Sequence, residues 1–476
     1  MKQKYRKKPP LSGLTALAVA TVLGSCTGAY AQSSGPDTNV AQRGHYLAIA
    51  ADCAACHTAP GSTQPFAGGY GIASPLGSIY STNITPSKEH GIGNYTEKEF
   101  SHALREGIRR DGADLYPAMP YTSYTKLTDD DVHALYVYFM SAVKPVESTP
   151  QKTALPFPYN IRASMGIWNA LFLDDTRFKP DPSKSAEINR GQYLSYALAH
   201  CDTCHTPRNA MMAEKGGSPL AGASLSSWYA PNITSDPVSG IGGWSSEDLF
   251  RYLKTGDVPG KAQAGGPMAE AIEHSFQSLD DADIRAMVAY IKQVPAISDS
   301  KDKAPRESYG KASGREAVYR ALPANRLSRG EYLFSGECAA CHRPTGQGSP
   351  DGYYPQLFHN TAVGAPIADN LITTILMGVR REVNGHTTYM PGFGPGSYVD
   401  TLSDQDIADI SNYVEQNFGN PNVKVSPDDV KLIRSGGPKP LIAQLGAFTV
   451  PAMIVAVVLL TLAIFFFIRL SRKTKA

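Results

Sequence analysis

Apolar residues recur at helical spacing in three places that share one layout. They are Val132, Leu135, Tyr136 and Phe139; Ile284, Met287, Val288 and Ile291; and Ile407, Ile410 and Val414. Gaps of three and four predict an amphipathic helix with one buried face at each place. Each run follows a start signal: Leu127-Thr128-Asp129-Asp130-Asp131, Leu279-Asp280-Asp281-Ala282-Asp283 and Leu402-Ser403-Asp404-Gln405-Asp406. Thr128, Asp280 and Ser403 suit the N-cap, and the acid three residues later meets the positive end of the helix dipole. A second repeated element lies well upstream of each: Arg43-Gly44-His45-Tyr46-Leu47, Arg190-Gly191-Gln192-Tyr193-Leu194 and Arg329-Gly330-Glu331-Tyr332-Leu333. Its glycine, having no side chain, is expected to let the first and last helices of a unit approach closely. The pattern predicts a mainly α chain of three tandem domains with long loops, at 40–145, 186–295 and 325–420.

Proline-rich residues 146–185 read as an extended connector, and the polar stretch 296–324 as a surface linker. Within the connector, Ile161 to Phe172 is apolar and carries Trp168; it is expected either to pack across domains or to join a partner-docking surface. Domains one and two are the most alike. Asn83-Ile84-Thr85 and Asn232-Ile233-Thr234 stand 149 positions apart, as do Gly91-Ile92-Gly93 and Gly240-Ile241-Gly242. Both asparagines match glycosylation sequons, but their repetition points to a turn.

The ends differ from the body. Five basic residues precede an apolar run from Leu11 to Gly24 and an Ala29-Tyr30-Ala31 cleavage signature, so 1–31 is expected to be a secretory signal peptide. A competing reading has Cys26 acylated at a lipoprotein cleavage site. Gly446 to Ile468 is 23 residues without a charge, about 34 Å of helix and enough to span a bilayer. The basic tail 469–476 then predicts a cytoplasmic C-terminus, with 421–445 a juxtamembrane segment. The formal charge of +2 becomes −3 without the five signal-peptide cations and −7 without the four of the tail. A basic footprint for nucleic acid is therefore not expected.

Six of the seven cysteines fall in three copies of Cys-x-x-Cys-His: Cys53, Cys56 and His57; Cys201, Cys204 and His205; Cys338, Cys341 and His342. In a helical turn, thiols three apart share a face and the next side chain points beyond them. Such a turn can form two thioethers to one haem and coordinate its iron through the histidine. Zinc needs four ligands from two such pairs, and three separated pairs leave one unmatched. Three covalently bound haem c groups are the expectation.

An iron that only relays electrons needs a second, closing ligand, and a methionine thioether raises its potential. Met119 lies 62 residues after His57 and Met268 lies 63 after His205, and the two are again 149 apart. Met390, in Tyr389-Met390-Pro391, lies 48 after His342. These three are the candidate axial ligands, with His274 a rival for the second iron and His386 or Met377 for the third. Met211 and Met212 follow their motif too closely to reach the opposite face. No nucleophile–base arrangement and no dinucleotide-binding glycine pattern is recognisable, so no catalytic residue is assigned.

The repeated Arg-Gly element with Cys53 to His57, Ser81 to Pro86 with Gly91-Ile92-Gly93, Tyr116-Pro117-Ala118-Met119-Pro120 and Gly266 to His274 together resemble one family. It is the three-haem, class-I-like cytochrome c subunit of membrane-bound dehydrogenases of acetic-acid and related bacteria. The fructose dehydrogenase branch is nearest in pattern, with gluconate, 2-ketogluconate, sorbitol and alcohol dehydrogenases as siblings; the C-terminal apolar segment favours the flavoprotein-linked branch. The resemblance implies a separate flavin-containing subunit that oxidises a sugar or sugar acid, a small third subunit, and ubiquinone as acceptor. It places the haem domains in the periplasm, tethered to the inner membrane. The competing readings are a free-standing membrane cytochrome, a terminal-oxidase-linked subunit and a haem peroxidase with an open iron.

Overall fold

The computed structural model describes residues 36–314 and 326–446, with 448, 459 and 461. The expected signal peptide with Cys26, the basic tail and most of Gly446 to Ile468 lie outside the described residues. Among the described residues no helix is long and apolar enough to cross a membrane.

Among the described residues helices dominate, joined by long loops and four two-stranded hairpins. The three closing helices form at Asp129–Ser141, Asp281–Ile291 and Asp404–Phe418. Thr128 caps the first by accepting from the Asp131 N–H at 3.2 Å, and Ser403 forms a capping box with Asp406. Asp280 occupies the expected N-cap position, but its side chain caps nothing. Its backbone N–H instead donates to Tyr46 Oη from the first domain, at 3.2 Å.

The opening helices Pro36–Ala50, Ala186–Tyr193 and Arg329–Leu333 cross the closing ones. A Cβ on Gly44, Gly191 or Gly330 would land on the carbonyl of Ala134, Ala286 or Asp409, so each crossing requires glycine. Beside each glycine the arginine pairs with the acid of the closing helix: Arg43 with Asp131 at 2.6 Å, Arg190 with Asp283 at 2.6 Å, and Arg329 with Asp406 at 2.7 Å.

The tyrosines of the repeat reach outward. Tyr46 donates to Asp283 of the second domain at 2.7 Å, and Tyr193 donates to Asp131 of the first. This exchange is reciprocal, so domains one and two meet in a pseudo-two-fold arrangement. One buried cluster runs through both, from Leu47 and Phe139 to Leu198 and Met287. Domain three stands outside that pair. Its Tyr332 is 47% exposed, and it keeps a separate core around Phe334, Ile407 and Phe418.

Domain three attaches instead through the hairpin of Ala223–Leu225 and Trp228–Ala230 in domain two. Ser227 Oγ donates to the Ile433 carbonyl at 2.7 Å, and Thr373 Oγ1 donates to the Ser227 carbonyl at 2.6 Å. Asn370 exchanges two hydrogen bonds with the Tyr229 backbone, each 2.9 Å. Arg381, 3% exposed, donates to the Ala264 carbonyl at 2.6 Å and to Gln263 Oε1 at 3.0 Å. Charged-group hydrogen bonds contribute about 1.5–3 kcal/mol each. Arg381→Met, which keeps the packing stem, is therefore expected to lower stability by roughly 2 kcal/mol. A lower urea midpoint with haem content unchanged is the outcome to measure.

Two expectations from the sequence resolve here. Asn83 and Asn232 are buried, and each accepts from the N–H and hydroxyl of the threonine two residues on; their amides donate to the chain that follows the closing helix, at Val146 and Ile297. They are turn-formers that tie down the next segment. The linker after domain two is not purely surface: Arg306 is 6% exposed and pairs with Asp302 at 3.0 Å. The pair lets a polar stretch run through a packed junction.

Candidate functional site

The first two Cys-x-x-Cys-His motifs begin at a sharp turn, whereas the third begins within the helical turn Phe334–Cys338. Asp52 and His200 take left-handed backbone angles, φ 53° and φ 40°, immediately before the helical turns Cys53–His57 and Cys201–His205. The third motif closes in the turn Ala339–His342. The six cysteines are half-buried and form no disulfide.

The histidines are anchored alike. Nδ1 of His57 lies 2.7 Å from the Thr82 carbonyl, that of His205 lies 2.6 Å from Pro231, and that of His342 lies 2.9 Å from Pro355. A carbonyl can only accept, so each Nδ1 carries the proton and Nε2 is left with its lone pair. Burial lowers all three imidazole pKa values, partly opposed by those carbonyl bonds. Neutral, oriented imidazoles are what axial coordination needs. Among the described residues no three His, Cys, Asp or Glu side chains converge on a metal position, so a zinc site lacks its ligands.

The candidate methionines are placed as follows. Met119 lines one large cavity together with Cys53, Cys56 and His57. That cavity of about 2840 Å³ also has Cys204 in its wall. Its size exceeds that of an ordinary single-ligand pocket, roughly 300–1,000 Å³, and suits more than one macrocycle. His205 and Met268 are not among its walls; Met268 is half-buried and, like Cys201, packs against the core shared by the first two domains. Met390 ends the strand His386–Met390 and, like Cys338, packs against the core of domain three. The rivals His274, His386 and Met377 are exposed, Met377 by 58%. The residues thus fit thioether-linked haem: paired thiols on a turn, an oriented imidazole, and a thioether against the same core.

The cytochrome c family profile matches residues 41–142, 188–295 and 327–417. The chain belongs to the cytochrome c family. This cytochrome carries three covalently bound haem c groups, one for each cysteine pair. It is 50% identical to the fructose dehydrogenase cytochrome subunit of Gluconobacter japonicus, over 91% of this chain and 92% of that protein. It is 38% identical to the alcohol dehydrogenase (quinone) cytochrome c subunit of Gluconacetobacter polyoxogenes, over 86% and 87%. The gluconate 2-dehydrogenase cytochrome c subunit of Pantoea cypripedii is 36% identical, over 87% and 94%.

The cytochrome also holds buried acids that sequence reasoning did not single out. Asp52 Oδ1 is buried without a hydrogen-bond partner, and burial, with the nearby Glu270 charge, raises this carboxyl well above the usual range. Glu270 is itself raised by burial, and accepts from Tyr70 Oη at 3.2 Å across the domain boundary. On the other side of the pseudo-two-fold, Asp202 accepts from Ser123 Oγ of domain one at 3.2 Å, and burial raises it too. Tyr124 donates to the Ala51 carbonyl at 2.7 Å and packs edge-on against His200. These groups lie between the first two motifs. Only Glu270 had a sequence signal, as part of the Gly266-to-His274 element; the others depend on which surfaces meet.

Proposed function

We propose that this cytochrome passes electrons from a partner flavoprotein dehydrogenase, acting on a sugar or sugar acid, to membrane ubiquinone. The observation that supports the reading is the recurrence, in each domain, of a Cys-x-x-Cys-His motif whose histidine is oriented by a backbone carbonyl, and of a half-buried methionine packed against the same core as a cysteine of that motif. Haem c iron exchanges single electrons between its ferric and ferrous states, and axial thioether ligation raises its potential. The chain's part is to hold and close that iron. Cys53, Cys56, Cys201, Cys204, Cys338 and Cys341 would attach the haems, and His57, His205 and His342 with Met119, Met268 and Met390 would hold their irons. Closed coordination leaves substrate chemistry to the partner, and the relatives named above are the cytochrome subunits of fructose, alcohol and gluconate dehydrogenases.

The membrane side of the proposal rests on sequence and on the cavity. An export signal at 1–31 and the uncharged 446–468 would place the domains in the periplasm, hung from a C-terminal helix in the inner membrane. The cavity that holds the first motif extends along Ile161 and Leu171 to Leu441 and Gly446, an apolar route suited to a lipid-soluble acceptor. A small third subunit is included by resemblance to the family.

The test is purification from membranes under mild detergent. The expected result is a flavin-bearing chain in the preparation, haem reduction on anaerobic addition of the sugar, and reoxidation by a short-chain ubiquinone. Copper in the preparation, or ready carbon monoxide binding by the reduced protein, would overturn the reading.

A further inference from the structure

The connector helix Ser164–Phe172 is apolar on both sides. One side, Met165, Trp168, Asn169 and Phe172, packs inward: Trp168 is 7% exposed, clusters with Tyr121 and Ala213, and donates from Nε1 to the Met211 carbonyl at 2.9 Å. The other side carries Ala163, Gly166, Ile167, Ala170 and Leu171 at helical spacing, all exposed, without one polar side chain. Ile167 is 69% and Leu171 65% exposed. Apolar side chains at helical spacing ordinarily face a core or lipid, and this outer face is uncovered among the described residues. The inward face meets the expectation that this stretch packs across domains.

What covers the outer face follows from its neighbour. Just before the helix, Tyr159 donates to the Ile442 carbonyl, and its ring lies where a Cβ on Gly446 would sit. Gly446 is the residue from which the uncharged stretch to Ile468 departs. Leu441 and Leu445, each 53% exposed, and Phe448, 67% exposed, continue the apolar surface towards it. The exposed Lys439 stands beside them, where an ammonium can reach lipid phosphates while its stem lies along the apolar surface.

We propose that the outer face of Ser164–Phe172, with Phe157 and Ile161 before it and Leu441 and Leu445 beside it, rests in the surface of a phospholipid bilayer. It is a second membrane contact, parallel to the lipid plane, and it sets the orientation of the haem domains over that plane. The inference rests on the proposed C-terminal anchor, which brings this face to the lipid. It adds that the connector, not the anchor alone, touches the membrane.

The assembled complex, reconstituted in phosphatidylcholine vesicles containing a diazirine-bearing acyl-chain analogue, tests this by photolabelling and peptide mapping. The expected result is label in 157–172 as well as in 446–468. Ile167→Glu with Leu171→Glu is expected to cut the 157–172 label roughly tenfold or more, with the visible haem spectrum and the 446–468 label unchanged. Label confined to 446–468 in the parent complex overturns this inference, leaves the anchor standing, and assigns the face to another subunit. Label in neither segment overturns both.

Discussion

Met119→His in the intact cytochrome is expected to lower the midpoint potential of one haem by a sizeable part of the roughly 0.8 V that axial ligands span. The other two potentials are expected to stay in place. The loop around Met119 is rigid enough for the substitution to report on ligation rather than on collapse. Pro117 and Pro120 flank the residue, the Tyr121 N–H donates to its carbonyl at 2.8 Å, and Tyr116 Oη donates to the Tyr159 carbonyl at 2.8 Å. A histidine there keeps the iron closed but exchanges a soft thioether for a more basic nitrogen, which favours the ferric state. Met119→Ala removes the proposed ligand altogether, and carbon monoxide binding at one haem is the expected sign. Potentiometric titration decides the matter: three unchanged potentials in Met119→His would remove Met119 from the ligand set.

The second large effect concerns stability and lies far from the motifs. Glu415, on the closing helix of domain three, is fully enclosed. Burial pushes its carboxyl up to about 9, against the partial relief of a bond from the Asn420 N–H to Oε2 at 3.0 Å. Its other oxygen, Oε1, is buried without a partner. The folded domain therefore holds a proton that the unfolded chain, at 4.5, releases sooner. With more protons bound in the native state, stability falls as pH rises. The contribution is fully present below 4.5 and is lost on the way to about 9, at up to about 1.4 kcal/mol for each pH unit crossed. Glu415→Gln supplies a permanently neutral side chain of the same shape. Melting of domain three, which has its own core, should rise by a few degrees or more at pH 8 in this variant and lose its pH slope. Equal slopes in parent and variant between pH 5 and 9 would show that Glu415 is ionised in the fold.

Asp283 responds in the opposite sense. At Asp283 burial pushes the carboxyl up, but the Arg190 and Tyr46 bonds outweigh it and leave it below the usual range. Its contribution is present above the unfolded value and fades as pH falls through the folded one. Acid therefore weakens the bonds that Arg190 and Tyr46 make to Asp283.

Much of this was legible along the chain because it depends on short-range rules. Covalent haem attachment needs residues at fixed spacing within one helical turn, so the three motifs announce it. The closing helices follow from apolar periodicity and cap residues, and the glycine crossings from the one residue type that lets backbones touch. Repetition also marked Asn83 and Asn232 as turns, against the sequon they spell. Asp280 shows where such reasoning stops: it occupies the N-cap position that the sequence marks, yet its side chain makes no cap bond.

The sequence by itself determined that this protein has three units, one haem c to each, helical frames around them and an apolar C-terminal segment. Each of these is a property of neighbouring residues or of a period within one element. Only the tertiary structure decided that the first two units share a core while the third keeps its own, that Tyr46 and Tyr193 cross between domains although Tyr332 does not, and that Arg381 and Glu415 are buried. Those outcomes depend on which surfaces meet, and the same Arg-Gly-x-Tyr-Leu segment meets a partner surface in two copies and solvent in the third.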